Sequence, residues 1–241
     1  MEYVVNIAVI FAGGTGQRMN SRTKPKQFLL LHGKPIIVYT LEAFDRNPDV
    51  DAIIVVCLRE WIDVLYQLID KFGIGKVRSV VPGGSTGQES IRNGIMEASR
   101  RYPDDSVMIL HDGVRPLIDD ETISECVRCT RRNGSAVTVV PATETIVQSE
   151  DGIITNIIDR KQCQLARAPQ CFLLGDMRKA HERAAGEQKE FIDSASLMSY
   201  YGHRLYEVEG TNANIKITTP SDFYIMRAIM DAEESSQIFG L

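Results

Sequence analysis

The chain has 241 residues, 44% of them hydrophobic and 24% charged, with a formal net charge of −5. That is the make-up of a globular protein with one large or two small α/β domains, and the acidic balance argues against a general binder of nucleic acid or of membrane surfaces. No apolar run reaches the ~18 residues of a membrane span, the N-terminus has no basic region or cleavage site, and an odd five cysteines read as reduced thiols, so the expected compartment is the cytoplasm.

The first element is the apolar run Val4 to Phe11, a strand buried on both faces. It empties into Ala12-Gly13-Gly14-Thr15-Gly16-Gln17-Arg18-Met19, and Lys24-Pro25-Lys26-Gln27-Phe28 follows. A strand ending in glycines offers bare N–H groups at the sheet's carboxyl edge, where no Cβ holds phosphate oxygens away. Arg18, Lys24 and Lys26 add positive charge beside that loop, and together they suit a polyphosphate. Counting G-x-G-x-x-G from Gly14 puts Met19 at the third glycine, and the G-x-x-x-x-G-K-[ST] order is missing. Neither a dinucleotide oxidoreductase nor a P-loop ATPase is favoured.

A helix over 35–46, a strand over 52–58, a helix over 60–72 and a strand over 77–81 come next. Pro82-Gly83-Gly84-Ser85 then leads into a helix over 88–101. These glycines admit a flat ligand such as a base, and Ser90 either contacts it or caps the helix. A strand over 106–110 ends in His111-Asp112-Gly113-Val114-Arg115-Pro116. Asp112 stands where a carboxylate holds a divalent metal or a ribose hydroxyl, and Arg115 either neutralises a phosphate or pairs with Asp112. His111 reads as a structural histidine. A helix over 119–132 carries Cys126 and Cys129 as ordinary positions, and a strand over 135–140 closes the βα series. This rhythm predicts a parallel sheet with helices on both faces and its strand-end loops on one edge.

After Val140 the pattern changes. Thr145–Ser149, a turn at Glu150-Asp151-Gly152 and Ile153–Ile158 read as a β-hairpin, an arm that covers a site or clasps a second subunit. Asp159-Arg160 ends it, bringing a cation near Thr145 if the arm folds over. A short strand near 170–173, helices near 175–186 and 194–201, a strand over 205–209 and a helix from Pro220 complete the chain. Asn214-Ile215-Lys216-Ile217-Thr218-Thr219-Pro220 reads as a short apolar strand whose lysine needs an anionic partner, a carboxylate or a phosphate.

Taken in order, A-G-G-T-G-x-R-M…P-K-Q-F, G-G-S…S-I, H-D-G-V-R-P, A-T-E-T-I, A-P-Q-x-F and N-I-K-I-T-T-P resemble the cytidylyltransferases that act on alditol phosphates. That family includes the 2-C-methyl-D-erythritol 4-phosphate enzyme of isoprenoid synthesis and the D-ribitol 5-phosphate enzyme of wall-polymer synthesis. The resemblance runs from Val9 to about Ala228. It implies a Rossmann-like, mostly parallel α/β core in a single domain over 1–241 with an arm at about 142–168, a homodimer clasped by such arms, and CTP with Mg²⁺ as co-substrates. It implies that Ala12, Gly13, Gly14, Thr15, Gly16, Arg18 and Lys26 hold the triphosphate, and that Gly84, Ser85 and Ser90 face cytosine. Asp112 would lie by ribose and metal, the metal being carried mainly by phosphates. Lys216 would steady the α-phosphate. Arg115 and Asp193 would sit on the acceptor side, and Thr145 and Arg160 would reach the acceptor from the partner's arm. Arg18, Lys26 and Lys216 are the catalytic residues it implies. The family usually carries arginine where Gly87 stands, T-P-Q where Ala168-Pro169-Gln170 stands and T-D where Ile192-Asp193 stands. The last two lie toward the acceptor and leave the alditol open, with Thr143–Ile146 and Asn214–Pro220 leaning to ribitol. A nucleotide-binding module without chemistry and a sugar-1-phosphate nucleotidyltransferase are the competing readings.

Overall fold

A computed structural model of the protein describes residues 4–14 and 24–239. The first strand, β1 (Asn6–Ala12), leads to a small hairpin of β2 (Leu30–Leu31) and β3 (Lys34–Pro35) and then to α1 (Ile36–Arg46). Three βα units follow: β4 (Ala52–Cys57) with α2 (Ile62–Phe72), β5 (Val77–Pro82) with α3 (Gly87–Ser99), and β6 (Val107–Asp112) with α4 (Asp120–Asn133). Next come β7 (Ser135–Pro141), the hairpin β8 (Ile146–Glu150) and β9 (Ile153–Ile158), and β10 (Gln164–Leu173). The chain ends in α5 (Leu174–Gly186), α6 (Ser194–Tyr200), β11 (Glu207–Glu209) and α7 (Pro220–Phe239).

The central sheet has seven strands in the order β11-β7-β10-β6-β1-β4-β5. β1 pairs in parallel with β4 and β6, β4 with β5, and β7 with β11; β10 alone runs antiparallel, between β6 and β7. The expected mostly parallel α/β architecture with helices on both faces is the one observed. On β1, Ala8, Ile10 and Ala12 pack with α1, α2 and α4, while Ile7 and Val9 pack toward α3, α5 and α6. Alternate side chains leave opposite faces of a strand, so burying both faces requires the unbroken apolar run seen in the sequence. Helix starts and stops follow local chemistry. Thr86 and Asp119 accept from the N–H groups of Glu89 and Thr122, and Gly73 and Gly134 close α2 and α4 at φ 65° and 87°. Thr219, Pro220 and Asp222 make a capping box at α7, with the Asp222 carboxylate accepting from Thr219 N at 2.7 Å. Gly94 lets α3 lie close to the sheet: a Cβ there would come within 2.6 Å of Val9 Cγ1.

Two parts of the chain differ from expectation. The strand expected near 170–173 begins at Gln164 and spans ten residues. Its direction follows from the arm: Ala142 N donates to Cys163 O at 3.2 Å and Gln164 lies opposite Pro141, so the chain returns to the rim it left and runs back along β7. The segment 214–218 is extended but is not a strand. It takes one sheet-like bond, Ile217 N to Val114 O at 3.0 Å, because α7 and the 114–117 turn, rather than another strand, provide its neighbours. The arm itself is a two-stranded sheet whose turn residues Asp151 and Gly152 have φ of 50° and 80°, the pairing that suits a tight hairpin. It exposes Ile153, Ile154 and Ile157.

The connections from β1 through β4 to β5 step in one direction across the sheet; α3 then brings the chain back to β6, on the other side of β1. The carboxyl ends of β1 and β6 therefore flank a topological switch point, the place where open α/β sheets form a crevice.

Candidate active site

A cavity of about 840 Å³ opens at that crevice. One wall is backbone. Ala12, Gly13 and Gly14 come from the end of β1, and Gly84, Ser85 and Ser90 from the loop between β5 and α3. Buried Gln27 ties the first loop down, its Nε2 donating to Ala12 O at 2.5 Å and to Gly14 O at 3.2 Å. Ser90 fastens the second: its Oγ accepts from Gly84 N at 3.0 Å and donates to Thr86 O at 2.9 Å. Of the two readings of Ser90, the geometry supplies an internal staple that also faces the cavity. A Cβ on Gly84 would strike the stem of Glu89. That carboxylate accepts from Ser85 N at 2.6 Å and Ser85 Oγ at 2.7 Å, bonds that hold its pKa below the usual carboxylate value.

The facing wall is built of charged side chains. Asp112, at the end of β6, meets Lys216 Nζ at 2.7 Å through Oδ1 and Arg115 Nε at 2.9 Å through Oδ2. Burial pushes the Asp112 carboxyl up, but Lys216 and Arg115 outweigh it and hold it at about 2. Arg115 also donates from Nη1 to Asn214 O at 2.9 Å, and Lys26 Nζ donates to Ile217 O at 2.8 Å. Ile217 is fully buried in a small cluster with Leu31, Ile36, Val114 and Met226, and its neighbour Lys216 lines the cavity. His111 is fully buried, with Nε2 3.1 Å from Arg115 O. Burial drives its imidazole down to about 4, so it stays neutral and donates to that carbonyl. Asp193 lines the cavity as the N-cap of α6, accepting from Ser196 N at 2.8 Å and Gln170 Nε2 at 3.1 Å.

Eleven of the sequence-selected site residues meet here: Ala12, Gly13, Gly14 and Lys26; Gly84, Ser85 and Ser90; Asp112, Arg115, Asp193 and Lys216. Thr15, Gly16 and Arg18 lie outside the described residues. Thr145 and Arg160 stay on the exposed arm, away from the cavity, with Arg160 donating to Thr143 O at 2.7 Å. Two cavity residues escaped the sequence reading. Gln27, between Lys26 and Phe28, gives no local signal that it ties the glycine loop. Arg167 sits just before the A-P-Q stretch, and its only sequence signal is a basic residue next to that motif.

Across the cavity Lys26, Arg115, Arg167 and Lys216 face Asp112 and Asp193, a local excess of positive charge in a chain whose net charge is −5. The model of the family described as IspD, 2-C-methyl-D-erythritol 4-phosphate cytidylyltransferase, matches residues 6–232. The chain belongs to the IspD family of cytidylyltransferases. It is 49% identical over 239 residues to the ribitol-5-phosphate cytidylyltransferase of Vibrio parahaemolyticus serotype O3:K6, covering 98% of this chain and 100% of that one. It is 39% identical to the 2-C-methyl-D-erythritol 4-phosphate cytidylyltransferase of Geobacter metallireducens, covering 92% and 96%. The crystal structure of 4-diphosphocytidyl-2C-methyl-D-erythritol synthase from Anaerococcus prevotii shares the fold, with a TM-score of 0.82 at 23% identity over 95% of this chain and 96% of that one. Membership in this nucleotidyltransferase family makes CTP the co-substrate. The described residues contain no group of three or more potential metal-binding side chains, and no helix among them is long and apolar enough to cross a membrane.

Proposed function

We propose that this chain transfers CMP from CTP to ribitol 5-phosphate, releasing pyrophosphate and forming CDP-ribitol. The carrying observation is the cavity itself, a glycine wall facing a cation-rich wall at the switch point. The 49% identity to a ribitol-5-phosphate enzyme, against 39% to a methylerythritol-phosphate enzyme, favours ribitol as the alditol. Gly13 and Gly14, with Thr15, Gly16 and Arg18, cradle the triphosphate, and Gly84, Ser85 and Ser90 take the base. Asp112 receives the ribose. Arg115 and Asp193 face the acceptor, joined by Thr145 and Arg160 from the arm of a second copy in a homodimer. All 241 residues act as one domain, its arm at about 142–168, in the cytoplasm.

An acceptor phosphate is already ionised at neutral pH, so the reaction needs no strong general base. An acceptor oxygen attacks the α-phosphorus, the new P–O bond forms, and the bond to the bridging oxygen breaks with its electron pair leaving on pyrophosphate. The obstacle is repulsion between two polyanions. Lys26 and Lys216 offset it at the α-phosphate, and fixed positioning supplies much of the rest. One carboxylate plus substrate phosphates is the oxygen-donor set that Mg²⁺ favours, and Asp112 is the residue that would hold it. Such an ion, held by Asp112 and the nucleotide's phosphates, would neutralise charge on the triphosphate and the leaving group.

The test is pyrophosphate release from CTP and Mg²⁺ with ribitol 5-phosphate, methylerythritol 4-phosphate and unphosphorylated ribitol. Ribitol 5-phosphate is expected to exceed methylerythritol phosphate by about tenfold or more in kcat/KM, and ribitol to be inert. CTP binding without release on any acceptor marks a non-catalytic module; preference for methylerythritol phosphate overturns the acceptor.

A further inference from the structure

Strand β10 loses register with β7 between Ala166, opposite Val139, and Gln170, opposite Val137. Four steps along β10 match two along β7, so residues 167–169 bulge from the ladder at the cavity rim. The bulge is pinned on both sides: Ala168 O accepts from Asn214 Nδ2 at 2.7 Å and Pro169 O from Thr138 Oγ1 at 2.8 Å. Arg167 is thereby carried to the cavity, where it is half-buried.

Its surroundings are unusual for a guanidinium. Arg167 Nη1 and Arg115 Nη1 both donate to Asn214 O, each at 2.9 Å, so two positive groups crowd one neutral carbonyl. Arg115 is balanced by Asp112. Arg167 has no carboxylate partner among the described residues, and burial, with the charge of Arg115, lowers its pKa. A guanidinium carries five donors in a planar fork shaped for phosphate oxygens. Partly removed from water beside a like charge, it is stabilised by an arriving anion. The position separates the two phosphate-bearing substrates. The glycine loops follow β1 and β5, whereas β10 lies beyond β6, with Asp112 and Lys216 between.

We propose that Arg167, with Arg115, grips the acceptor's phosphate from within the same chain, independently of any contact from an arm. Arg167 has this role only if the acceptor is an alditol phosphate, as proposed for the cavity as a whole.

Steady-state kinetics on the full chain test this with Arg167→Gln and Arg167→Lys, varying each substrate in turn. Arg167→Gln is expected to raise the KM for ribitol 5-phosphate by about 10- to 100-fold, the worth of a lost charge-assisted fork, and to leave the KM for CTP within about twofold. Arg167→Lys recovers part of the loss. Inorganic phosphate competes with the acceptor in the wild type, and its inhibition constant rises in Arg167→Gln by a comparable factor. Without turnover, ribitol 5-phosphate but not ribitol protects the wild type from thermal unfolding, and this protection is lost in Arg167→Gln. An unchanged acceptor KM in Arg167→Gln, or acceptor and CTP KM values rising together, overturns the role while the transferase stands. A wild type that releases no pyrophosphate with any acceptor removes the transferase reading and this role with it.

Discussion

The two walls of the cavity are made in opposite ways. The glycine wall comes from two short segments, 12–14 and 84–90, and side chains tie them down as staples: Gln27 on Ala12 and Gly14, Ser90 on Gly84, Glu89 on Ser85. The charged wall gathers Asp112, Arg115, Arg167 and Lys216 from three distant stretches and joins them through one carboxylate and one carbonyl, that of Asn214. A backbone wall tolerates side-chain change wherever a Cβ fits and the staples hold. A wall of mutually balanced charges responds to every charge removed, because the partners left behind are partly desolvated.

The largest effects should fall on the cations. Lys216→Ala and Lys26→Ala are each expected to lower kcat/KM by about 10²- to 10³-fold, the scale seen when one preorganised transition-state donor is removed. Pyrophosphate release measures the loss, with urea unfolding to show an intact fold; near-normal rates in either variant would take the chemistry away from the charged wall. A smaller effect should appear outside both walls, in a small neighbouring cavity. His181 is 3% exposed, has no hydrogen-bond partner among the described residues, and lines a small cavity with Gln88 and Asp193. Burial pushes its imidazole down from 6.5 to about 4. The unfolded chain then takes the proton first, so the stability it contributes is complete above pH 6.5 and falls away as pH drops toward 4, by about 3 kcal/mol. His181→Leu should flatten that part of the urea-stability profile and leave turnover at pH 7.5 unchanged; a profile as steep as the wild type's would disprove the assignment. The smallest effect belongs to a staple. Ser90→Ala frees Gly84 N and should raise the KM for CTP by about three- to tenfold, the worth of one hydrogen bond, without moving the acceptor KM. Equal changes in both would mean that the walls do not act separately.

Much of this was legible in the residues. The strands β1, β4, β5, β6 and β7 begin and end within about two residues of their apolar runs; β4, covered on both faces, is apolar throughout, whereas the edge strand β5 admits Arg78 and Ser79. The Asp151-Gly152 turn announced the hairpin, and the glycine loops announced one wall, since absence of a Cβ is itself a sequence signal. The antiparallel course of β10 was not legible: an apolar stretch looks alike in either direction, and the direction came from where the arm returned the chain. Residues 214–218 alternate like a strand, yet they join no strand ladder among the described residues.

The sequence by itself determined the βα order, the helix ends and the loops that needed glycine, because these depend on neighbours a few residues apart. Only the tertiary structure decided that Lys216 and Arg115 share Asp112, and that Arg167 stands beside them on Asn214 O. Charges separated by dozens of residues interact through distance in space, and that distance is set by how the sheet and its bulge are assembled.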